Sequence, residues 1–328
     1  MELTTRAAVA AALADAGRQG VSGEALAREF GVSRVAVGKH VAALRELGFA
    51  IHAEPRVGYR IVSAPDLCIP ETVTPLVRDP LWVRCEGGAE TGSTNDDAKR
   101  LARAGAPAGT VVVAARQTGG RGRFGRVWSS PEGGAYLSAV LRPATSPTGV
   151  APLSLVAALG VARALGRLGC DAGLKWPNDV WLGDVRTGGK LAGVLLEMAA
   201  EADTVEWVVI GCGVNVAPSD VPGSACVRDV VSGARIPDVA AAVLDELAAV
   251  VRRFVADGFG PLAEEYRRRG VLWGEPVVVR DATGATVAEG TAESVDETGA
   301  LLVRDTGGVR AVAAGEVTLR GGGRPTGP

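Results

Sequence analysis

A glycine- and arginine-rich segment between two apolar runs constrains this chain more than any other feature. The segment extends from Gln117 to Pro131, and residues 119–126 within it contain four glycines and three arginines. Residues 110–114 before it and 135–141 after it are apolar and predict buried strands. Glycine backbone N–H groups can approach an anion closely, and arginine binds carboxylates and phosphates, so we predict a loop that binds an anionic small molecule. A solvated basic hairpin loop and a Gly-Arg segment for RNA are the alternatives.

The composition is that of a globular protein with more than one domain. The chain has 328 residues, of which 47% are hydrophobic and 22% charged, enough for two or three domains. No long uninterrupted apolar run and no signal-peptide pattern occurs, so we expect no membrane segment and a cytoplasmic location. The 5 cysteines lack metal-type spacing, which predicts buried thiols in a reducing compartment and no metal site.

The positions of the histidines exclude several mechanisms. The only two, His40 and His52, lie within residues 1–64. No histidine base or metal ligand is therefore available downstream, which removes most hydrolase and zinc-enzyme classes. The first 64 residues carry eight Lys/Arg against six Asp/Glu, whereas the remainder carries 27 against 31.

Residues 1–64 are predicted to form a winged helix-turn-helix domain. Helical periodicity covers residues 6–17, 23–30 and 34–47, and the tight turn at residues 31–33 joins the last two helices. A β-hairpin wing would follow. Between Ser33 and Arg45 the third helix carries basic side chains and no acid. This bias suits the phosphates beside a major groove, although a three-helix module without DNA is the alternative. The candidate DNA-binding residues are Ser33, Arg34, Lys39, His40 and Arg45.

The rest of the chain predicts two further domains, giving the α+β class overall. Prolines punctuate residues 65–80 as a linker feeding a docking turn or short helix. Strands then alternate with helices to residue 270, which indicates a central mixed α/β sheet, with its first strand expected at residues 81–85. Within this sheet domain we expect an irregular polar turn at residues 174–181 and a flexible loop at residues 186–190. Short strands separated by glycine-containing turns predict a small β-barrel at residues 271–320. Residues 321–328 are expected to be a disordered tail.

Five polar motifs occur in a fixed order along the chain. They are Ser93-Thr94-Asn95, the Gln117 to Trp128 loop, Lys175-Trp176-Pro177-Asn178-Asp179, Lys190-Leu191-Ala192-Gly193 and Gly211-Cys212-Gly213-Val214-Asn215. Together they resemble the biotin–protein ligase family, and the N-terminal segment resembles its bifunctional branch, whose members are also biotin operon repressors. The resemblance spans residues 6–320 and implies a catalytic sheet of the class II synthetase and biotin ligase type, followed by an SH3-like barrel.

The resemblance implies a two-step reaction. The biotin carboxylate attacks the α-phosphate of ATP, giving biotinyl-5′-AMP and pyrophosphate, and a lysine of a biotin carboxyl carrier domain then attacks the acyl-adenylate and releases AMP. The reaction needs fixed cations, backbone N–H groups and Mg²⁺, and no enzyme nucleophile, which agrees with the histidine-free core. The implied partners are the carrier protein of acetyl-CoA carboxylase or another biotin-dependent carboxylase, operator DNA, and a second copy of the chain in an adenylate-bound homodimer.

The resemblance also assigns roles to individual residues. Catalysis is expected from Lys190, Arg121 and Arg123, with Asp179 orienting Lys190 or helping in the transfer step. From spacing alone, Ser93 and Thr94 would be a plain helix N-cap. The residues expected to bind biotin are Ser93, Thr94, Asn95, Gln117, Arg121, Gly122, Arg123, Lys190 and Gly193. Those expected to bind ATP or the adenylate are Arg123, Arg126, Trp128, Lys175, Asn178, Asn215 and Arg320.

Two other functions fit parts of the sequence. Lipoate–protein ligases share the adenylating fold, but the Gly-Arg loop, the Lys-Trp-Pro-Asn-Asp motif and the N-terminal domain together argue for biotin. A regulator that senses biotin without catalysis need not keep Arg121, Arg123 and Lys190. Two departures from the family pattern are a longer, glycine-rich loop between Asp179 and Lys190, and Cys212 in place of an aliphatic residue.

Overall fold

The structure is a computed structural model that describes residue 1, residues 5–55 and residues 57–320. The tail predicted at residues 321–328 lies outside the described residues. The α-helices are α1 Thr5–Ala16, α2 Gly23–Glu29, α3 Arg34–Glu46, α4 Pro70–Val73, α5 Thr94–Arg103, α6 Leu153–Arg167, α7 Ile236–Asp257 and α8 Gly260–Arg269. The strands are β1 Ala50–Glu54, β2 Gly58–Ser63, β3 Arg84–Thr91, β4 Thr110–Gln117, β5 Gly134–Leu141, β6 Gly173–Lys175, β7 Asp179–Leu182, β8 Gly189–Glu201, β9 Thr204–Asn215, β10 Pro276–Arg280, β11 Thr286–Val295, β12 Leu301–Asp305, β13 Gly308–Val312 and β14 Glu316–Leu319.

The N-terminal unit is the winged helix-turn-helix that the sequence predicts. Ser22 and Ser33 cap α2 and α3 by accepting hydrogen bonds from the backbone N–H groups three residues later, as their position predicts. Strands β1 and β2 form the antiparallel wing. An antiparallel bridge between Val21 and Tyr59 holds the wing against the chain that enters α2.

The linker after this unit is fixed along helix α7. The Asp66 carboxylate accepts the backbone N–H of Ile236 at 2.7 Å, at the start of α7. Farther along, Asp245 of α7 accepts two backbone N–H groups of the linker at 3.0 and 2.9 Å. The buried Trp82 indole donates to the carbonyl of Leu244 at 2.9 Å. Residues 65–82 therefore form a structured connection that includes the predicted short helix, α4.

The hydrophobic core of the N-terminal unit continues into the central part of the molecule. Ile69, just before α4, and Ala115, on β4, belong to the same buried cluster as Val37 and Leu44 of the third helix. Both are almost completely buried, at 0% and 1% exposure. The N-terminal unit thus packs directly against a strand of the central sheet.

A seven-stranded mixed sheet forms the centre of the described chain, in the order β3-β4-β5-β9-β8-β7-β6. Strands β3 and β4 are parallel and all other neighbours are antiparallel. Helix α5 covers one face through Leu101 against Val112 and Val209, and helices α6 and α7 cover the other. Strand β4 is buried on both faces, which explains its continuous apolar run.

Three local predictions were wrong, each because tertiary pairing decides the local structure. The first strand is Arg84–Thr91 and not residues 81–85; it is a glycine-containing, charged edge strand that lacks a strand-like apolar pattern. Residues 174–181 are not an irregular turn, because β6 and β7 pair across them. Lys190 belongs to β8, opposite Trp181, and not to a flexible loop.

One helical stretch, Thr148–Arg167, is long and apolar enough to cross a membrane, with a mean hydropathy of 1.6. It contains α6, and 67% of that stretch is buried inside the protein. Its apolar character is accounted for by α7 and the sheet, which enclose it.

The C-terminal unit is a five-stranded antiparallel sheet in the order β13-β12-β11-β10-β14. The predicted small β domain is confirmed in this form, and within residues 271–320 the end strands β13 and β14 do not pair with each other. Its core residues Val277, Val279 and Val303 belong to the cluster that lies under the central sheet.

Replacing Ile69 tests whether the N-terminal unit depends on the linker for its core. Truncating a buried isoleucine to alanine costs about 2–5 kcal/mol, so Ile69→Ala should speed amide hydrogen exchange in α3 by roughly tenfold or more. Leu76→Ala, at a linker position that is 37% exposed, should have little effect. Hydrogen exchange followed by mass spectrometry resolves the two variants, and unchanged protection of α3 in Ile69→Ala would show that this core is independent of the linker.

Candidate active site

A cleft of about 970 Å³, counted with the solvent at its mouth, opens over β8 and β9. The N-terminus of α5, the Gly-Arg loop, the β6–β7 turn and Glu316 of β14 surround it. Most of the residues predicted to act on biotin or ATP line it, namely Ser93, Thr94, Asn95, Gln117, Arg121, Gly122, Arg123, Arg126, Trp128, Lys175, Asn178, Asp179, Lys190 and Gly193.

A network of uncharged polar groups forms the inner end of the cleft. The Gln117 side-chain oxygen accepts hydrogen bonds from the Thr94 backbone N–H at 2.8 Å and from its hydroxyl at 3.0 Å. The hydroxyl of the fully buried Ser138 on β5 lies within hydrogen-bond distance of two oxygens, Thr94 Oγ1 at 2.8 Å and Asn95 Oδ1 at 2.6 Å. Ser93 makes no side-chain cap bond to α5. The start of this helix therefore serves the cleft and is not the plain N-cap that spacing alone favours.

Glycines of β8 and β9 make room for Asn95 and Trp128. A Cβ atom at Gly211 would lie 2.0 Å from Asn95 Oδ1, and one at Gly213 would lie 2.5 Å from Trp128 Nε1. Gly193 is the cross-strand partner of Gly213, and its Cβ would also meet the Trp128 ring, at 3.1 Å. Trp128 Nε1 is buried and has no hydrogen-bond partner among the described residues.

Each arginine of the Gly-Arg loop is held by an acceptor on another element. Arg121 binds the Asp96 carboxylate with both terminal nitrogens, one of them at 2.7 Å, and this interaction raises the pKa of Arg121. Arg123 donates to the carbonyl of Gly315 at 3.0 Å; burial lowers its pKa, but a guanidinium stays charged at neutral pH. Arg126 pairs with Glu316.

Two lysines stand on the opposite wall. Lys190 Nζ lies 2.7 Å from Asp179 Oδ1 and 5.0 Å from the centre of the Trp128 ring. Its backbone forms hydrogen bonds with residues 223 and 225 of the loop after β9. Lys175 Nζ lies 4.6 Å from the Trp181 ring centre, and burial lowers the pKa of this ammonium group.

Two predicted site residues do not line the cleft. The Asn215 amide donates to the Lys190 carbonyl at 3.1 Å, so it lies behind the wall and fixes Lys190. Arg320 is exposed and pairs with Glu289 at 3.0 Å. Their predicted roles toward the nucleotide stay predictions.

Glu197 belongs to the site region and sequence reasoning missed it. Its carboxylate accepts from the Asn95 amide at 2.8 Å and from Lys99 at 2.6 Å, and lies 3.6 Å from Arg121. Strand alternation was the available signal, because Glu197 is four residues after Gly193 on the same face of β8. The sequence analysis also missed Ser138 and Glu316. Ser138 lies within an apolar run and Glu316 within a strand-like segment, and no motif marks either of them as a site residue.

The predicted DNA-binding residues differ in their surroundings. Arg34 and Lys39 are exposed on α3, and His40 is half-buried. The Ser33 hydroxyl caps the helix. Arg45 donates to the Ile51 carbonyl at 2.7 Å, so it joins the third helix to the wing.

The cleft combines a neutral polar pocket with a wall of fixed cations. Such a wall can bring two anions together and stabilise phosphoryl charge, which is the requirement of acyl-adenylate formation. Cys212 also lines the cleft; burial raises the pKa of its thiol to about 12, which disfavours the nucleophilic thiolate.

The chain matches three family descriptions in order. They are a helix-turn-helix domain at residues 6–60, the biotin/lipoate A/B protein ligase family at residues 87–215, and the biotin protein ligase C-terminal domain at residues 273–320.

Relatives and solved structures agree with these matches. The bifunctional ligase/repressor BirA of Bacillus subtilis is 31% identical over 97% of this chain and 100% of its own length. The biotin–[acetyl-CoA-carboxylase] ligase of Paracoccus denitrificans is 38% identical, covering 71% of this chain and 99% of its own. The biotin protein ligase of Aquifex aeolicus, solved with biotin and ATP, superposes with a TM-score of 0.62 at 27% identity, over 73% of this chain and 99% of that one. The chain therefore belongs to the biotin protein ligase family, in the bifunctional ligase/repressor branch that carries an N-terminal helix-turn-helix domain.

Proposed function

We propose that this protein joins biotin to ATP as biotinyl-5′-AMP and transfers the biotin to a lysine of a biotin carboxyl carrier domain. One observation carries the proposal: a neutral polar pocket and a group of cations lie in the same cleft. The pocket is formed by Thr94, Gln117 and Ser138. The cations are Arg121, Arg123 and Lys190. The first part suits an uncharged ureido ring and the second suits a carboxylate and a phosphate.

Biotin would lie over the glycine strip of β8 and β9, with its ring toward Asn95 and its carboxylate toward Arg121. Ser93, Thr94 and Gln117 would hold the ring through hydrogen bonds, and Gly122 and Gly193 would let the ligand approach the backbone closely. The Trp128 indole N–H has no partner among the described residues, so a ligand acceptor would satisfy it.

Lys190 and Arg123 would stabilise the charge that develops when the biotin carboxylate attacks the α-phosphate. Attack forms the acyl–phosphate bond and breaks the bond to pyrophosphate, which leaves as an anion. Asp179 fixes the Lys190 ammonium at 2.7 Å, so the cation needs little reorganisation during the step. Arg126, Trp128, Lys175 and Asn178 would hold the nucleotide, with Asn215 and Arg320 as more distant candidates.

In the second step the carrier lysine attacks the acyl carbon of the adenylate. AMP leaves with the electron pair of the broken acyl–oxygen bond, and the amine loses a proton as the amide forms. Asp179 is the carboxylate near Lys190 that could receive this proton.

Magnesium would enter as the MgATP substrate. Mg²⁺ is commonly bound through substrate phosphates and one or two carboxylates. Residues 5–55 and 57–320 contain no group of three or more His, Cys, Asp or Glu side chains that could hold a metal. Asp179 and Glu316 are the carboxylates that line the cleft, and they fit a metal that arrives with the nucleotide.

The N-terminal unit would place α3 in the major groove of operator DNA, with Arg34, Lys39 and His40 toward the duplex and Ser33 at its edge. A two-fold operator requires two copies of the chain, so we propose that the adenylate-bound form is a homodimer. We place the protein in the cytoplasm, because its five cysteines are all free and buried, as suits a reducing compartment.

ATP–pyrophosphate exchange tests the proposed reaction directly. Purified protein with Mg²⁺ should exchange labelled pyrophosphate into ATP when biotin is present. No exchange should occur when lipoate replaces biotin or when no acid is added. Exchange with lipoate would move the substrate assignment to lipoate. Tight biotin binding without any exchange would instead favour a sensor that does not catalyse.

Replacing Lys190 separates charge stabilisation from biotin binding. Lys190→Gln should lower biotin-dependent exchange by roughly 10²–10³-fold, as for loss of one preorganised transition-state donor. Lys190→Arg, which keeps the cation, should retain more activity than the glutamine variant. If Lys190→Gln exchanges pyrophosphate within a few fold of the wild-type rate, the assigned role is wrong.

Salt dependence tests the contact between α3 and DNA. Lys39→Gln should weaken binding to operator DNA selected from a random duplex library and reduce the slope of log K against log salt by about one. Arg253→Gln, an exposed position on α7, should leave the slope unchanged. Fluorescence anisotropy at several salt concentrations measures both, and equal slopes for all three proteins would remove Lys39 from the interface.

A further inference from the structure

Arg121, which we assign to the biotin carboxylate, already binds a carboxylate of its own chain. Its two terminal nitrogens bind the two oxygens of Asp96, with one contact at 2.7 Å. This paired geometry is the one by which an arginine recognises a carboxylate ligand. The pair is partly exposed, with 37% of the Arg121 side chain and 49% of the Asp96 side chain accessible, so a ligand can reach it.

The surrounding charges are balanced without a ligand. Lys99 lies 2.9 Å from Asp96 and 2.6 Å from Glu197, and Glu197 lies 3.6 Å from Arg121. Two cations thus face two carboxylates. A third carboxylate, that of biotin, finds no surplus positive charge here and must displace one that is present.

Asp96 is the carboxylate that can leave at the lower cost. It is more exposed than Glu197, whose side chain is 28% accessible and is also bonded to Asn95. When Asp96 releases Arg121 it keeps Lys99 as a partner, so no unpaired charge is created. The exchange replaces one arginine–carboxylate pair by another.

We propose that Asp96 competes with the biotin carboxylate for Arg121 and thereby sets the affinity of this protein for biotin. The inference rests on the proposed function, because it needs the biotin carboxylate at Arg121. Asp96 is an affinity-determining residue in the ligand-free protein and has no part in the chemical step.

The test compares biotin with biotinol, the alcohol that lacks the carboxylate, on the full-length protein by isothermal titration calorimetry. Asp96→Asn removes the competitor, so it should tighten biotin binding by about threefold to fivefold, as for loss of a partly exposed ion pair. Biotinol does not need Arg121, and its affinity should not change. Asp96→Glu, which keeps the carboxylate, should bind biotin with nearly wild-type affinity.

The neighbouring Asp97 supplies the matched control. It pairs with Arg100 at 3.1 Å and accepts from Thr91, and it contacts neither Arg121 nor Lys99 in the described part of the chain. Asp97→Asn removes the same charge from the same helix turn and should leave the ratio of the biotin and biotinol affinities unchanged.

Three results would overturn the inference: unchanged or weaker biotin binding in Asp96→Asn, an equal shift for biotin and biotinol, or the same tightening in Asp97→Asn. Failure of the wild-type protein to bind biotin at all would instead overturn the proposed function, so the two failures are distinguishable.

Discussion

The site depends on a strip of sheet that has no side chains. Gly193 and Gly213 face each other across β8 and β9, and Gly211 lies two residues from Gly213 on the same face. Asn95 and Trp128 lie so close to this strip that a Cβ atom at Gly211 would come within 2.0 Å of Asn95, and one at Gly213 within 2.5 Å of Trp128. The helix that carries the polar pocket and the loop that carries the arginines can therefore both lie close to the sheet, and the cleft is the space between them.

Several cations coexist around this cleft because the protein neutralises them itself. Arg121 is paired with Asp96, Arg126 with Glu316, and Lys190 with Asp179. At these three cations an anionic group consequently binds by exchange with an internal carboxylate, whereas Arg123 donates to the Gly315 carbonyl and has no carboxylate to displace. A ligand that displaces a carboxylate from one of these cations must match its charge and geometry. An uncharged analogue would leave the cation without a partner.

The ion pair of Lys190 with Asp179 agrees with one of the two roles that the resemblance implies for Asp179, that of orienting Lys190. The sequence was sufficient to place the three arginines of the Gly-Arg loop at the cleft, which they line. It was insufficient where a role depends on register or on contacts between distant elements. Glu197 acquires its partners only because α5 and the Gly-Arg loop lie over β8, and Arg45 faces Ile51 only because the wing folds back. The same limit explains the wrong bounds of strand β3, since pairing with β4 overrides its weak local preference.

The packing of the N-terminal unit provides a contiguous route between its helix α3 and the cleft. Ile69 and Ala115 complete the core of that unit, and Ala115 is two residues before Gln117, whose side chain organises the polar pocket. The linker cannot absorb relative motion freely, because Asp66 and Trp82 bind it to α7. Packed strand and helix, rather than a flexible tether, therefore connect Gln117 to the N-terminal unit. Coupling between the two sites would require ligand binding and DNA binding to favour the same arrangement of these packed residues.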